Sequence, residues 1–310
     1  MRVEPRQGAP RPTTMFRRRR VTASVLALAG LAAAGCGDQA PPTVTTAVGD
    51  EQIYTATAPV LDTPDGPPHL CLGAMTASLP PTGCGGPEIR NWNWDDVDDA
   101  ESMGGTTWAT YTVVGTYDGE RFTLTETPTP AGEPHSVVGA ELPDFSTPCE
   151  EPIGGWAVVD EAIATDEAMS AAITYAEAQP DHAGTWIDQS INPALHDGDP
   201  ADAEVAANDP TRLVLNLRFT GDLERHEQAV REIWGGALCV SLAEHTETEL
   251  RAIQNELHGE LPGVLASGVD PVTGVVTVDV IVDDGSIQRD MDDRYGAGVV
   301  RISARLRLAD

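Results

Sequence analysis

Residues that favour β-strands are concentrated in the first part of the chain. Residues 106–116 are rich in Thr, Val, Tyr and Trp, a composition that favours a strand. Asp118 and Gly119 follow, two residue types that tolerate a positive φ, and residues 121–127 return to the same pattern. Together with an extended stretch at residues 53–61, this predicts an all-β module, a small barrel or sandwich, over residues 51–127.

Helical spacing alternates with strand spacing in the second part of the chain. Thr165 and Thr246 can each accept a hydrogen bond at a helix start, and Glu249 completes a capping box with Thr246. Leu213 to Phe219 alternates as a strand with one buried face does. The predicted helices cover residues 166–178, 222–234, 246–259 and 286–295. The predicted strands cover residues 213–219, 237–242, 263–269, 275–282 and 299–308.

The last predicted strand has one apolar side and one side that carries three arginines. A sheet with one face in water carries helices on its other face only. The predicted fold is therefore α+β: a small all-β N-terminal module followed by a two-layer α/β sandwich, with helices on one face of a mixed sheet. The sandwich is assigned to residues 150–310, and residues 128–149 are assigned to a linker. We find no internal repeat of recognisable period.

The N-terminal residues have the order of a bacterial export signal. Arg17 to Arg20 precede an uncharged stretch, residues 21–34, that is too short to span a bilayer comfortably, and Gly35 and Cys36 follow. Small residues before a cysteine resemble the lipobox of bacterial lipoproteins, which implies cleavage before Cys36 and lipid on its thiol. Ala33 stands where the lipobox favours leucine, so ordinary cleavage and secretion is the alternative.

We therefore predict a signal peptide over residues 1–35 and a flexible tether, rich in Pro and Thr, over residues 36–50. Met15 is an alternative start that would give the signal its usual proportions. The predicted location is the cell membrane, with the chain lipid-anchored on the extracytoplasmic face.

The chain is strongly acidic. Its formal net charge is −30 at pH 7, and it contains no lysine. Seven arginines and one acid precede Cys36, which leaves 12 arginines and 48 acids in the mature chain and a net charge of −36. A field of this sign repels phosphates and anionic headgroups. We therefore predict no nucleic-acid partner, and we expect the N-terminal lipid to make the membrane contact.

Four cysteines remain after Cys36, and outside the cytoplasm an even number of cysteines favours disulfides. Three pairings are open. We favour Cys71 with Cys84, which closes a short loop rich in Pro and Gly, and Cys149 with Cys239, which joins the linker to the second domain. A metal site of four thiolates is the alternative, although the sequence has no C-x-x-C pair.

An acidic run is the candidate cation site. Asp95, Asp96, Asp98 and Asp99, followed by Glu101, supply the carboxylate oxygens that Ca²⁺ prefers. The run lacks the spacing of an EF-hand loop, so a solvated loop is the competing interpretation and the one we favour. No other cofactor is predicted.

Two further sets of residues are candidates for binding. Trp92 and Trp94 would share one side of a strand and could stack on a sugar or a partner; burial in the core is the interpretation we favour. Arg301, Arg305 and Arg307 would make a positive face for an anionic partner. The competing interpretation, which we favour, is that these arginines pair with acids of the same chain.

No sequence motif names a reaction. The seven histidines show no pair spaced for one helical face, and the sequence has no G-x-S-x-G elbow, Walker loop or dinucleotide fingerprint. A Ser-His-Asp set assembled from distant positions stays open. The leading hypothesis is a non-catalytic binding or interaction module at the cell envelope. The alternative is an extracytoplasmic hydrolase with a site between the domains.

Two stretches resemble a family. The first joins Cys71-Leu72-Gly73 and Cys84-Gly85-Gly86-Pro87 with Trp92-Asn93-Trp94-Asp95. The second joins Gly184-Thr185-Trp186-Ile187-Asp188 with Phe219-Thr220-Gly221-Asp222. Both resemble uncharacterised exported proteins and lipoproteins of high-GC Gram-positive bacteria. The resemblance implies export and a two-part body, and it implies no catalytic residue.

Overall fold

The structure is a computed structural model that describes residues 52–131, 144–197, 206–207 and 209–309. The described residues belong to one compact unit. The predicted signal peptide, Cys36 and the tether lie outside the described residues. Within the described residues, no helix combines the length and the apolar character needed to cross a membrane.

Five strands of the first part pair in a closed ring, which makes a small barrel. Its longest ladder joins β1 (Ile53–Asp62) to β5 (Thr106–Tyr117) in antiparallel register, with Ile53 opposite Thr116 and Asp62 opposite Thr107. The ring is completed by β2 (His69–Leu70), β3 (Glu88–Arg90) and β6 (Arg121–Leu124). Two short strands, β4 (Glu101–Met103) and β7 (Thr129–Pro130), pair with β5 outside the ring.

Alternate residues of the strands point into the barrel and make its core. In β1, Tyr54, Ala56, Ala58 and Val60 are buried and belong to this core, which is the period of two of a β-strand. The predicted hairpin between β5 and β6 is confirmed, because the Asp118 carboxylate accepts the N–H groups of the two residues that follow Gly119.

The second part contains two successive units of the same design, each with the order helix, strand, strand, helix, strand. The first repeat consists of α1 (Asp166–Glu177), β8 (His182–Asp188), β9 (Val214–Phe219), α3 (Leu223–Arg231) and β10 (Ala237–Leu242). The second repeat consists of α4 (Glu247–Glu260), β11 (Val264–Asp270), β12 (Val275–Val280), α5 (Ser286–Tyr295) and β13 (Val300–Ala304). A short helix, α2 (Ala194–Asp197), lies between β8 and β9.

Strand pairing is the same in both repeats. The middle strand runs antiparallel to the strand before it and parallel to the strand after it, as β9 does with β8 and β10, and β12 with β11 and β13. Helices pack on one face of each three-stranded sheet. The predicted α+β class and the mixed strand directions are confirmed, and the strands divide between two sheets. The two repeats share their element order and strand pairing but not their sequence, so the sequence shows no recognisable period.

The helix starts follow the capping residues. Thr165 accepts the N–H of Ala168 at the start of α1, and Thr246 and Glu249 form the predicted capping box of α4. The apolar faces that follow these caps pack onto the sheets: Ala172 and Ala176 of α1 are fully buried in the first repeat, as are Leu250 and Leu257 of α4 in the second.

An extended segment, residues 144–149, covers one face of the sheet in the first repeat, the face opposite the helices. We call this segment the strap. Trp186 Nε1 donates to the carbonyl oxygen of Phe145 at 3.1 Å, Thr147 hydrogen-bonds to two strands, and Cys149 is disulfide-bonded to Cys239. β9 is therefore buried on both faces, and the prediction that Leu213 to Phe219 has one buried face is wrong.

Both favoured disulfides are present. Cys71–Cys84 links residues beside β2 and β3 of the barrel, with a Cα–Cα distance of 5.4 Å. Cys149–Cys239 links the strap to β10 across 5.8 Å. A metal site built from all four thiolates is thereby ruled out in this structure.

The predicted strand over residues 299–308 is two strands in different sheets. β13 ends at Ala304, and β14 (Arg307–Leu308) pairs with β1 of the barrel. Leu306, between the two strands, is buried in the barrel core, whereas Leu308 is exposed. The apolar positions alternate through the break, so the sequence pattern does not reveal that the chain changes sheets.

Candidate functional site

A polar cleft of about 220 Å³ lies where the two repeats meet, and it is the candidate site. β8 forms one wall at the edge of its sheet, and the start of α4 with the turn after β11 forms the other. Gly184 permits the close approach, because a Cβ atom there would lie 2.6 Å from the Pro271 carbonyl oxygen. The polar side chains of the lining belong to Glu177, His182, Thr185, Glu247 and Arg251.

His182 is the central side chain of the cleft, and it is only 6% exposed. Its Nε2 lies 2.9 Å from Thr185 Oγ1, and its Nδ1 lies 3.1 Å from Glu247 Oε2. The register shift in β8 between His182 and Gly184 places His182 and Thr185 on the same side of the strand. Glu247 comes from the second repeat, so the contact also joins the repeats.

Burial lowers the pKa of His182, and the nearby carboxylates of Glu247 and Glu177 offset only part of that effect. The imidazole is therefore neutral at pH 7. A neutral imidazole has one N–H donor and one acceptor nitrogen. With Nδ1 next to the Glu247 carboxylate, the proton belongs on Nδ1, and Nε2 then accepts the Thr185 hydroxyl, which is the protonation state of a general base.

The remaining charges of the cleft come from two helices. Glu177 is exposed at the end of α1, and no ion pair is described for it within the part of the chain that the structure covers. Arg251 lies one turn after Glu247 on α4, and its Nε donates to Glu247 Oε1 at 2.6 Å. The cleft thus holds two carboxylates, one guanidinium and a neutral imidazole. The net charge of this lining is negative, as is that of the whole chain.

A second buried histidine lies beside the cleft and outside its lining. His226 is fully buried; its ring stacks on Phe219 at 3.8 Å, and Phe219 also contacts His182 edge-on. Asp181 Oδ2 lies 2.9 Å from His226 Nε2. Burial would raise the pKa of Asp181, but the hydrogen bond from His226, a backbone hydrogen bond and the charges of His226 and Arg225 together outweigh it, and the pKa of the carboxyl is lowered.

The predicted tryptophan pair packs against the barrel. Trp92 and Trp94 are half-buried, with centroids 5.1 Å apart, and both contact Tyr111. Trp94 Nε1 donates to Asp62 at 2.9 Å, and Trp92 Nε1 finds no acceptor in the described ranges. Trp94 begins a 3₁₀ helix, so the expectation that the two side chains share one side of a strand is wrong.

The acidic run after Trp94 lies at the surface. Asp95, Asp96, Asp98 and Asp99 are exposed, and Asp98 uses its backbone carbonyl to accept the Tyr111 hydroxyl at 2.8 Å. Across the described ranges, no group of three or more His, Cys, Asp or Glu side chains is placed to hold a metal ion. The structure does not gather the run into a coordination shell.

The three predicted arginines do not belong to one strand. Arg301 is exposed on β13, Arg305 pairs with Asp279 of the neighbouring strand, and Arg307 belongs to β14 in the barrel sheet. The break between β13 and β14 places Arg307 in a different sheet from Arg301, and the shared positive face stays a prediction. The pairing of Arg305 is the intramolecular contact that we favoured.

Sequence reasoning missed the cleft. His182 and Thr185 are three positions apart, and in a regular strand that spacing puts side chains on opposite faces. Only the register shift in β8 brings them together, and Glu247 comes from a helix in the other repeat. The capping box at Thr246 was the one available signal, because it fixes the helix turn on which Glu247 stands.

Comparison with protein-family models and with curated proteins found no match for this chain. Function is therefore inferred from the geometry of the site, and the resemblance to exported lipoproteins stays a prediction.

Proposed function

We propose that this protein is an exported lipoprotein that works as a binding module on the outer face of the cell membrane, and that the cleft between the two repeats binds a small positively charged group. The lipid on Cys36 would hold the chain at the membrane, and residues 36–50 would act as its tether. The order of basic, apolar and small residues before Cys36 supports the anchor.

The observation that carries the binding proposal is the composition of the cleft. Glu177 presents an exposed carboxylate beside the buried imidazole of His182, and Arg251 is already paired with Glu247. A ligand ammonium group could therefore pair with Glu177 and donate further hydrogen bonds to the carboxylate of Glu247. The net charge of −36 in the mature chain raises the local concentration of cations around the cleft.

The size of the cleft limits the ligand. A volume of about 220 Å³ admits a small organic cation or one end of a larger molecule. The walls that Val269 and Pro271 contribute suit a short apolar segment next to the charged group. We therefore expect a primary amine on a short carbon chain to be the minimal ligand.

The test is a titration with n-butylammonium chloride, followed through the NMR signals of the His182 ring. Saturable shifts are expected, and n-butanol, which has the same carbon chain without the charge, should give none. Glu177→Gln should weaken binding at least about tenfold, since it removes the unpaired carboxylate. Glu167→Gln, on the exposed start of the same helix, is the matched control and should bind like the parent protein. A linear, non-saturating response in the parent protein would end the proposal.

A further inference from the structure

Thr185, His182 and Glu247 follow one another in the cleft, with a hydrogen bond between Thr185 and His182 and a close contact between the imidazole and the Glu247 carboxylate. The distances are 2.9 Å from Thr185 Oγ1 to His182 Nε2 and 3.1 Å from His182 Nδ1 to Glu247 Oε2. A hydroxyl, an imidazole and a carboxylate in this order are the parts of an activated nucleophile: the base accepts the hydroxyl proton and the carboxylate orients the base. Both outer members line the cleft.

The surroundings give each member the state that this role requires. His182 is buried, whereas Thr185 is half-buried on β8, the edge strand of its sheet. The imidazole is therefore shielded from solvent, while the Thr185 hydroxyl is accessible to a ligand. Glu247 is fixed by the capping box beside it and by its ion pair with Arg251. The lowered pKa of His182, caused by burial, leaves Nε2 free to accept a proton at neutral pH.

We propose that the cleft catalyses acyl transfer to water from carboxylic esters that carry an ammonium group, with Thr185 as the nucleophile, His182 as the general base and Glu247 as the group that orients His182. The proposal rests on the proposed function in one respect: Glu177 must hold the ammonium group so that the ester carbonyl lies at Thr185.

The reaction needs only the ester and water. Thr185 Oγ1 forms a bond to the carbonyl carbon while its proton moves to His182 Nε2. The bond from that carbon to the leaving oxygen breaks, and the proton on His182 passes to the departing alcohol. Water then attacks the threonyl ester and gives its proton to His182; that proton returns to Thr185 Oγ1 as the carboxylic acid leaves. No electrons are exchanged with another group.

Arg251 supplies positive charge to the same wall of the cleft. Its guanidinium pairs with Glu247 and has further N–H groups than that contact uses, so it can donate to the oxyanion of the tetrahedral intermediate. This assigns Arg251 to charge stabilisation, and Arg251→Gln is expected to lower kcat more than it raises KM.

The experiment measures release of p-nitrophenol from the p-nitrophenyl ester of glycine, with p-nitrophenyl acetate as the uncharged comparison. The full mature chain should hydrolyse the glycine ester with the lower KM, and Glu177→Gln should abolish that preference. Thr185→Val and His182→Gln should each lower kcat by about 100-fold or more. Thr185→Ser should keep activity, and Thr248→Val, which removes an exposed hydroxyl, is the matched control.

Quenched reactions analysed by mass spectrometry should show the acyl group on the peptide that contains Thr185. Thermal melting of Thr185→Val reports whether that variant folds, and the serine variant keeps the test valid if it does not. Activity that survives Thr185→Val in a folded protein would overturn the catalytic proposal, as would the absence of turnover in the parent protein. If turnover is absent but n-butylammonium still binds, the binding function stands alone; if neither is seen, both proposals fail.

Discussion

Thr147 of the strap donates two hydrogen bonds to one carboxylate oxygen of Asp188, through its backbone N–H and its hydroxyl, each at 2.7 Å. Asp188 ends β8 and is 3% exposed, so a segment outside the repeat satisfies a buried charge within it. Burial alone would raise the pKa of Asp188, but the hydrogen bonds from Ser190 and Thr147 outweigh it and the pKa is lowered.

Asp188→Asn is expected to lower the free energy of unfolding at pH 7 by about 2 kcal/mol, because a charged acceptor of several hydrogen bonds is lost. A lowered pKa in the folded state means that this stabilisation is present above the unfolded value of about 3.9 and is lost as the pH falls through the folded value. Urea unfolding at pH 7 and pH 3 should show the difference shrinking in acid. Asp65→Asn, at an exposed position, should leave stability unchanged at both pH values.

The buried His182 should make the free energy of unfolding decrease as the pH falls below about 6.5. Its folded pKa is lowered by burial, so between that value and the unfolded value of about 6.5 the unfolded chain binds more protons. Stability is therefore expected to be complete above about pH 6.5 and to decline as the pH falls through the folded pKa. Unfolding curves at pH 7.5, 6.5 and 5.5 measure the slope. His182→Gln should flatten it, and the exposed His258→Gln should not.

Gly184 sets the distance between the repeats. A Cβ atom there would lie 2.6 Å from the Pro271 carbonyl oxygen, which is backbone and cannot rotate away. We expect Gly184→Ala to cost about 1–3 kcal/mol of stability, as overpacking does. Gly259 in α4 has nothing within 4 Å of its added Cβ, so Gly259→Ala should stabilise by about 0.5–1 kcal/mol. Equal effects of the two substitutions on chemical unfolding would contradict the close approach.

The two disulfides should differ in their contribution to stability. Cys149–Cys239 closes a loop with a sequence separation of 90 and Cys71–Cys84 one of 13. Chain-entropy arithmetic then gives about 4.6 and about 3 kcal/mol, respectively. Replacing both Cys149 and Cys239 by alanine is expected to lower the unfolding midpoint more than replacing both Cys71 and Cys84. A larger loss from the barrel disulfide would mean that native-state contacts, and not loop closure, dominate.

Local patterns predicted much of the fold, and contacts between distant segments account for what they missed. The turn at Asp118 and the capping box at Thr246 are decided by neighbouring residues, and both form as expected. The strap is held in place by the Cys149–Cys239 disulfide and by the hydrogen bond from Thr147 to Asp188. Residues 144–149 have no periodicity from which these contacts could be predicted. The duplicated design of the repeats is a property of strand order, which is invisible until the pairing is known.

The candidate site depends even more on long-range geometry. His182 and Thr185 share a side only because β8 is irregular, and the sequence HAGTWID has alternation enough for a strand but no mark of the shift. The site residues that the sequence did predict lie elsewhere: the Trp92 and Trp94 rings pack on the barrel, and the acidic run remains exposed. Residue types alone therefore predicted site residues that lie outside the cleft.

The anchor can be tested independently of the cleft. In a bacterium that processes lipoproteins, the full chain should partition into the detergent phase after Triton X-114 extraction, because acyl chains on Cys36 add membrane affinity. Cys36→Ala is expected to move the protein to the aqueous phase, while the disulfides among the other four cysteines remain. Detergent partitioning of the alanine variant would contradict the predicted lipid attachment.

The pairing of β14 with β1 has a consequence for the order in which the molecule acquires its structure. Residues from both limits of the described chain meet in one sheet, and Leu306 fills the core of a barrel whose other members begin at Tyr54. Contacts of such long range are slow to form, because the loop between them must close first. If the chain is exported as we propose, the β1 segment emerges well before β14, so the barrel begins to form first and is completed last. Its incomplete core would then require protection in the meantime.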